Sequence, residues 1–105
     1  MTIEDDEAIF LRCIGEPTRL RILKLLAGGD RCVGEIVESL DEEQSLISHH
    51  LRAMKGCGIV LTRREAQKIY YELADARVAE LIFNSESIMK GLPLCQTKGA
   101  DYEKA

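Results

Sequence analysis

Six side chains of this sequence can bind soft ions, exchange electrons or act as nucleophiles: Cys13, Cys32, Cys57, Cys95, His49 and His50. The cysteines are separated by 19, 25 and 38 residues, with no C-x-x-C pair and no zinc-ribbon spacing. Three chemistries stay open for them: thiolate ligands for a soft ion, a redox pair, or small buried hydrophobes. Cys13 falls on the apolar face of a helical stretch and reads as core. His49 and His50 are adjacent, so on a helix their side chains diverge by about 100° and cannot chelate one ion together, as an i, i+4 pair can. His49 points outward, whereas His50 turns partly inward and reads as a packing or orienting residue. A nucleophilic enzyme would have to be built from Cys57 and one of these histidines. No carboxylate is spaced to orient them, and the chain is not expected to be an enzyme.

A second group of residues suits nucleic acid. Over residues 42–55, Ile47, Leu51 and Met54 recur at i, i+4, i+7 and turn inward. The opposite face then carries Gln44, Ser45, Ser48, His49 and Arg52. These side chains are short, polar and mostly able to both donate and accept, as base edges and phosphates require. A merely solvated helix face carries Glu and Lys pairs more often. Arg63, Arg64 and Lys68 follow on a hairpin and add phosphate-binding charge.

The elements that must position these groups are legible in the periodicity. Residues 4–14 read as a first helix with Ile9, Phe10 and Cys13 at helical spacing. A second helix starts at Pro17, repeats Leu20, Leu23 and Leu26 on one face, and stops at Gly28-Gly29. Val33, Ile36, Val37 and Leu40 give a short third helix, and Asp41 is the expected N-cap of the fourth. Gly56 and Gly58 end that helix. Residues 59–64 and 68–73 are β-branched and aromatic, a hairpin joined by Glu65-Ala66-Gln67. A last helix begins near Asp75 and places Val78, Leu81 and Ile82 on one face. Short helices followed by a hairpin describe a mainly α, winged helix-turn-helix fold over residues 1–95, with a polar, frayed tail over 96–105. The apolar faces of the first and last helices are left over, and a homodimer is the simplest use for them.

Length and charge sharpen this. A chain of 105 residues holds one small domain, for which dimerisation is a common source of further buried surface. No apolar run approaches 18 residues, and the first seven residues carry four acids, so neither a membrane span nor a secretory signal is expected. A cytoplasmic location follows, in which cysteines stay thiols. The net charge of −4 argues against nucleic acid only until it is divided. Residues 44–72 hold five bases and two acids, whereas residues 28–43 hold six acids and one base.

Three stretches carry a family resemblance. Residues Gly15-Glu16-Pro17-Thr18-Arg19-Leu20-Arg21-Ile22-Leu23 are similar to the D-P-T-R-L-R-I-L run of the ArsR/SmtB family of metal-responsive repressors. Residues Gln44-Ser45-Leu46-Ile47-Ser48-His49-His50-Leu51 resemble its Q-S-T-V-S-H-H-L recognition helix. Gly58-Ile59-Val60, Arg63-Arg64-Glu65 and Ile69-Tyr70-Tyr71 resemble its wing. The likeness spans roughly residues 8–83. It implies a homodimeric winged-helix repressor that leaves palindromic operator DNA when an inducer binds. Leu46 departs from the family's frequent Thr. Glu42 and Glu43 stand where small polar residues are frequent and set negative charge near the expected phosphates.

The same resemblance guides the choice of inducer. The family's C-x-C thiol motif on the third helix is half present, as Cys32 with Gly34 in the second position. Its last-helix zinc site keeps Asp75 but has Arg77 for the first His and no later His. Lys24 and Lys90 stand about where persulfide-sensing members have cysteines. Cys57 matches a recognition-helix ligand of the cadmium- and lead-sensing type, although Ala53 replaces its second cysteine. A thiolate site of Cys57 and Cys95, with Cys32 as a third candidate, is therefore expected to sense As(III), Cd(II) or Pb(II). A thiol redox switch, and a repressor or interaction module with no sensor, remain the alternatives.

Overall fold

The computed structural model describes residues 1–93, and Cys95 with the 96–105 segment lies outside them. The elements run α1 (Ile3–Ile14), α2 (Pro17–Leu26), β1 (Arg31–Cys32), α3 (Val33–Leu40), α4 (Gln44–Gly56), β2 (Val60–Glu65), β3 (Lys68–Leu73) and α5 (Arg77–Lys90). Five helices and a hairpin in this order match the expected winged helix-turn-helix, and among the described residues no helix is long and apolar enough to cross a membrane.

Local signals account for the helix ends. The Thr2 side chain accepts from the Asp5 N–H at 3.1 Å, while Asp5 Oδ2 accepts from the Thr2 N–H at 2.9 Å, closing a capping box on α1. Pro17 opens α2, and Glu16 caps it by accepting from the Thr18 N–H. The expectation for Asp41 is corrected. It ends α3 rather than capping α4, with φ +53° and ψ +50°, a left-handed conformation that Asp tolerates better than most residues. Glu43 is the N-cap of α4 and makes no side-chain cap bond. The three residues 41–43 thus form the turn between the two helices.

The sheet adds a strand that periodicity did not reveal. β1 is only two residues long and pairs with β3 through Arg31↔Tyr71 and Cys32↔Tyr70, giving the antiparallel order β1-β3-β2. A two-residue strand is too short to show an alternating pattern, so its sequence reads as the start of α3. β2 and β3 pair from Val60↔Leu73 out to Glu65↔Lys68, leaving Ala66 and Gln67 at the tip of the wing.

One core unites the helices with the root of the wing. Ile22 and Leu23 of α2, Ile36 of α3, and Ile47, Leu51 and Met54 of α4 are fully buried, as is Val60 of β2. Val78 and Ile82 bring α5 onto this core. The inward face expected for α4 is therefore the one that is buried. Leu51 lies at its middle, so Leu51→Ala should cost about 2–5 kcal/mol by lost transfer energy and an unfilled cavity. Urea unfolding at fixed protein concentration should show a midpoint shift of that size, with little change in the denaturant slope.

Candidate DNA-reading face and thiol sites

The burial of Ile47, Leu51 and Met54 fixes the rotation of α4, and with it the direction of the opposite face. Gln44, Ser45, His49 and Arg52 are exposed there, and Ser48 is half-buried. No ion pair among the described residues engages Arg52, Arg64 or Lys68. Their charges remain available on the helix and the wing.

Arg63 differs from the other wing cations. Its guanidinium pairs with Asp30, bonds Glu65 Oε2 at 3.2 Å through Nη2, and lies 3.9 Å from Glu72 Oε2. It also sits 5.0 Å from the centre of the Tyr70 ring. Hydrogen bonding to Asp30, then to Glu65, raises its already high pKa. This residue ties the wing to the loop before β1. Sequence spacing could not show that, because Asp30 reaches Arg63 only once β1 is in the sheet.

His50 is buried, as its inward direction on α4 implied. Arg19 Nε donates to His50 Nδ1 at 3.0 Å, and an arginine nitrogen can only donate, so the imidazole proton sits on Nε2. Nε2 lies 3.0 Å from the buried Glu16 Oε2. Burial lowers the His50 pKa, and the charges of Arg19 and His49 lower it further, against an upward pull from Glu16. Arg19 also donates through Nη1 to the Cys13 carbonyl at 3.2 Å and lies 3.9 Å from Cys13 Sγ. One guanidinium therefore joins the end of α1, the start of α2 and the middle of α4.

The thiols are dispersed with one exception. Cys32 is buried on β1, opposite Tyr70, and N-caps α3. Cys57 is exposed at the C-cap of α4. Among the described residues no three of His, Cys, Asp and Glu gather as a metal cage. Cys13, read from sequence as core, is indeed buried, yet it also neighbours Cys57. Burial first, then the adjacent Cys57 thiol, pushes its pKa up to about 11, with Arg19 opposing. This juxtaposition joins residues far apart in the chain and had no signature in spacing.

The last-helix position is closed by charge. Arg77 bonds Asp75 through both Nε and Nη2, at 3.1 and 2.7 Å, and holds the Asp75 carboxyl down at about 2. Lys24 pairs with Glu86, which also accepts from Lys90 at 3.0 Å.

Comparison with known proteins agrees with this architecture. Residues 16–62 match the model of the bacterial regulatory protein, arsR family. An uncharacterised HTH-type transcriptional regulator of Methanocaldococcus jannaschii is 46% identical over 76 residues, covering 71% of this chain and 85% of that protein. The chain belongs to the ArsR/SmtB family. Family members are DNA-binding transcriptional regulators rather than enzymes. The ArsR/SmtB likeness extends to a probable mercury resistance operon repressor of Streptomyces lividans, 38% identical over 81 residues, 77% of this chain and 65% of that protein. The chain thus spans a little under two thirds of that relative's length. Among solved structures, the homodimeric winged helix-turn-helix DNA-binding domain of Mb0332 from Mycobacterium bovis, a possible ArsR-family transcriptional regulator, superposes with a TM-score of 0.75. It is 32% identical, covering 84% of this chain and 82% of that one.

The lowered His50 pKa has a signed consequence. With the folded value below the ordinary 6.5, the unfolded chain takes up a proton first as pH falls. Stability is full above pH 6.5 and declines as pH drops below it toward the folded value. Unfolding midpoints from about pH 7 to 5.5 should show this decline, and His50→Gln should flatten it.

Proposed function

We propose that the chain acts in the cytoplasm as a homodimeric repressor that grips palindromic operator DNA and releases it when an inducer engages its cysteine thiols. The observation that carries the DNA reading is the free polar face of α4 beside unpaired wing cations. On this reading Gln44, Ser45, Ser48 and His49 meet base edges and phosphates in the major groove. Arg52, Arg64 and Lys68 neutralise backbone phosphates, and Arg63, although exposed, chiefly braces the wing. Exposed apolar side chains on α1 and α5, among them Ile9, Leu11, Phe83, Ile88 and Met89, support pairing of two chains through these helices. The homodimeric Mycobacterium bovis relative supports the same assembly. Two reading heads then meet half-sites about one helical turn, or 34–36 Å, apart.

For the inducer, soft ions or metalloids such as As(III), Cd(II) or Pb(II) suit thiolate ligands best. Cys57, Cys95 and Cys32 are the proposed donors. The mercury-resistance name of the Streptomyces relative supports a soft-ion reading, and the tied Asp75 and Arg77 weigh against a hard or borderline ion on α5.

Titrating the reduced protein onto a two-half-site duplex at several salt concentrations tests the DNA reading. Affinity should fall steeply with salt. Arg64→Ala should reduce the slope of log K against log salt by about two for a dimer while leaving the unfolding midpoint unchanged. Affinity that ignores salt, or no binding to any palindromic duplex, would indicate a protein-interaction module instead. Adding arsenite, Cd(II), Pb(II) or diamide in turn then identifies the class of inducer.

A further inference from the structure

The reading helix carries one exposed side chain that its polar face does not explain. Leu46 is the third residue of α4 and is 36% exposed. Among the described residues, the other large apolar side chains left in water lie in or beside α1 and α5, or on the wing. Pairing of two chains through α1 and α5 gives a reason for most of those, but not for an exposed leucine on α4.

The neighbours of Leu46 fix where it stands. Ile47 and His50 are buried, whereas Ser45 and His49 are exposed. Residues three apart on a helix lie about 60° apart around its axis, so Leu46 borders His49 on the edge of the reading face. A helical side chain leans toward the helix N-terminus, which places Leu46 over the first turn of α4. In a helix-turn-helix that end of the reading helix is the one that meets base edges. The corner is poorly suited to phosphate. Leu46 has no donor, and Glu43, three residues earlier, is exposed, acidic and makes no side-chain cap bond.

We propose that Leu46 recognises the C5 methyl of a pyrimidine, thymine in unmodified DNA, at one position of each half-site. The chemistry of the groove selects this group. Leucine neither donates nor accepts a hydrogen bond, and the thymine methyl is the apolar group that an unmodified base pair presents in the major groove. A polar base edge held against Leu46 would lose water without gaining a partner, so the same side chain disfavours the other bases. This rests on the repressor reading above and adds to it a side chain and the base it prefers. Covering one methyl is worth about fourfold in affinity, and about fifteenfold over the two half-sites of a dimer.

The experiment uses the full chain, reduced, and the duplexes it enriches from a pool of randomised sequence. Each thymine of the enriched site is replaced in turn by uracil, which keeps its pairing and loses only the C5 methyl. At one position per half-site uracil should weaken binding about fourfold, and about fifteenfold when placed in both. Leu46→Ala should bind the thymine duplex less tightly by a similar factor and should no longer distinguish it from the uracil duplex. That ratio is taken within one variant, so any change in the variant's stability cancels. With cytosine in place of that thymine, 5-methylcytosine should bind the parent chain more tightly than cytosine does, and Leu46→Ala should bind both equally. Uracil tolerated at every position overturns the role of Leu46 while leaving the repressor reading in place. A uracil effect that persists in Leu46→Ala does the same, because another side chain or the shape of the duplex then reads the methyl. Enrichment of no sequence overturns the repressor reading and the role of Leu46 together.

Discussion

The placement of the reading helix depends on a part-buried polar contact, that between Arg19 and His50. Leaving the buried imidazole without a partner would cost about 1–3 kcal/mol, and Arg19 Nε supplies a donor to its Nδ1 at 3.0 Å. Arg19 belongs to the Pro-Thr-Arg stretch that opens α2, and His50 to the Ser-His-His stretch of α4. These are two of the three motifs that carry the family likeness. The contact gives them a shared physical reason: the start of α2 holds the middle of α4 at a fixed height and rotation. Glu16, from the same turn, brings Oε2 to 3.0 Å from His50 Nε2 while Oε1 caps α2 through Thr18. The packed apolar face of α4 sets its rotation, and the directional bond from Arg19 adds a fixed point along its length.

Much of this was legible in the residue pattern. The periods of α1 to α5, the inward set Ile47, Leu51 and Met54, and the change to a two-residue period at Ile59 all follow from local spacing. Features fixed by pairing distant residues were not legible. β1 becomes a strand only because β3 offers it an edge. Asp41 looked like a cap for the next helix because Asp is frequent there, but the turn needed a residue that tolerates positive φ, and Asp serves that role too. Arg63, Arg64 and Lys68 looked equivalent as charges on a hairpin. Only Arg63 finds Asp30 and the Tyr70 ring, so the three differ in what they have left to offer. Cys13 was assigned to the core from its helix face. It is core, but its neighbour across the junction is a second thiol, and residue type at a helix face says nothing about what packs against it.

Charge follows the same division between local and assembled. The chain carries more acid than base, yet the acids near the wing are partly spent internally. Asp30, Glu65 and Glu72 surround Arg63, and Glu86 is held by Lys24 and Lys90. Arg52, Arg64 and Lys68 keep their charge for an outside partner. An acidic remainder with a basic reading edge suppresses adhesion to nucleic acid everywhere else on the surface.

The same accounting applies to α5. Just before it, Asp75 is neutralised by Arg77 in a bidentate pair. Glu86 is shared by Lys24 and Lys90. Of these pairs Lys24–Glu86 joins α2 to α5, and the other two are local to the helix and its start. The α1–α4 junction is held differently: Arg19 donates both to the Cys13 carbonyl and to His50, so the end of α1 and the middle of α4 share one guanidinium. Removing that side chain would take a part-buried support from both helices at once, whereas an exposed ion pair on α5 is screened by water and contributes little.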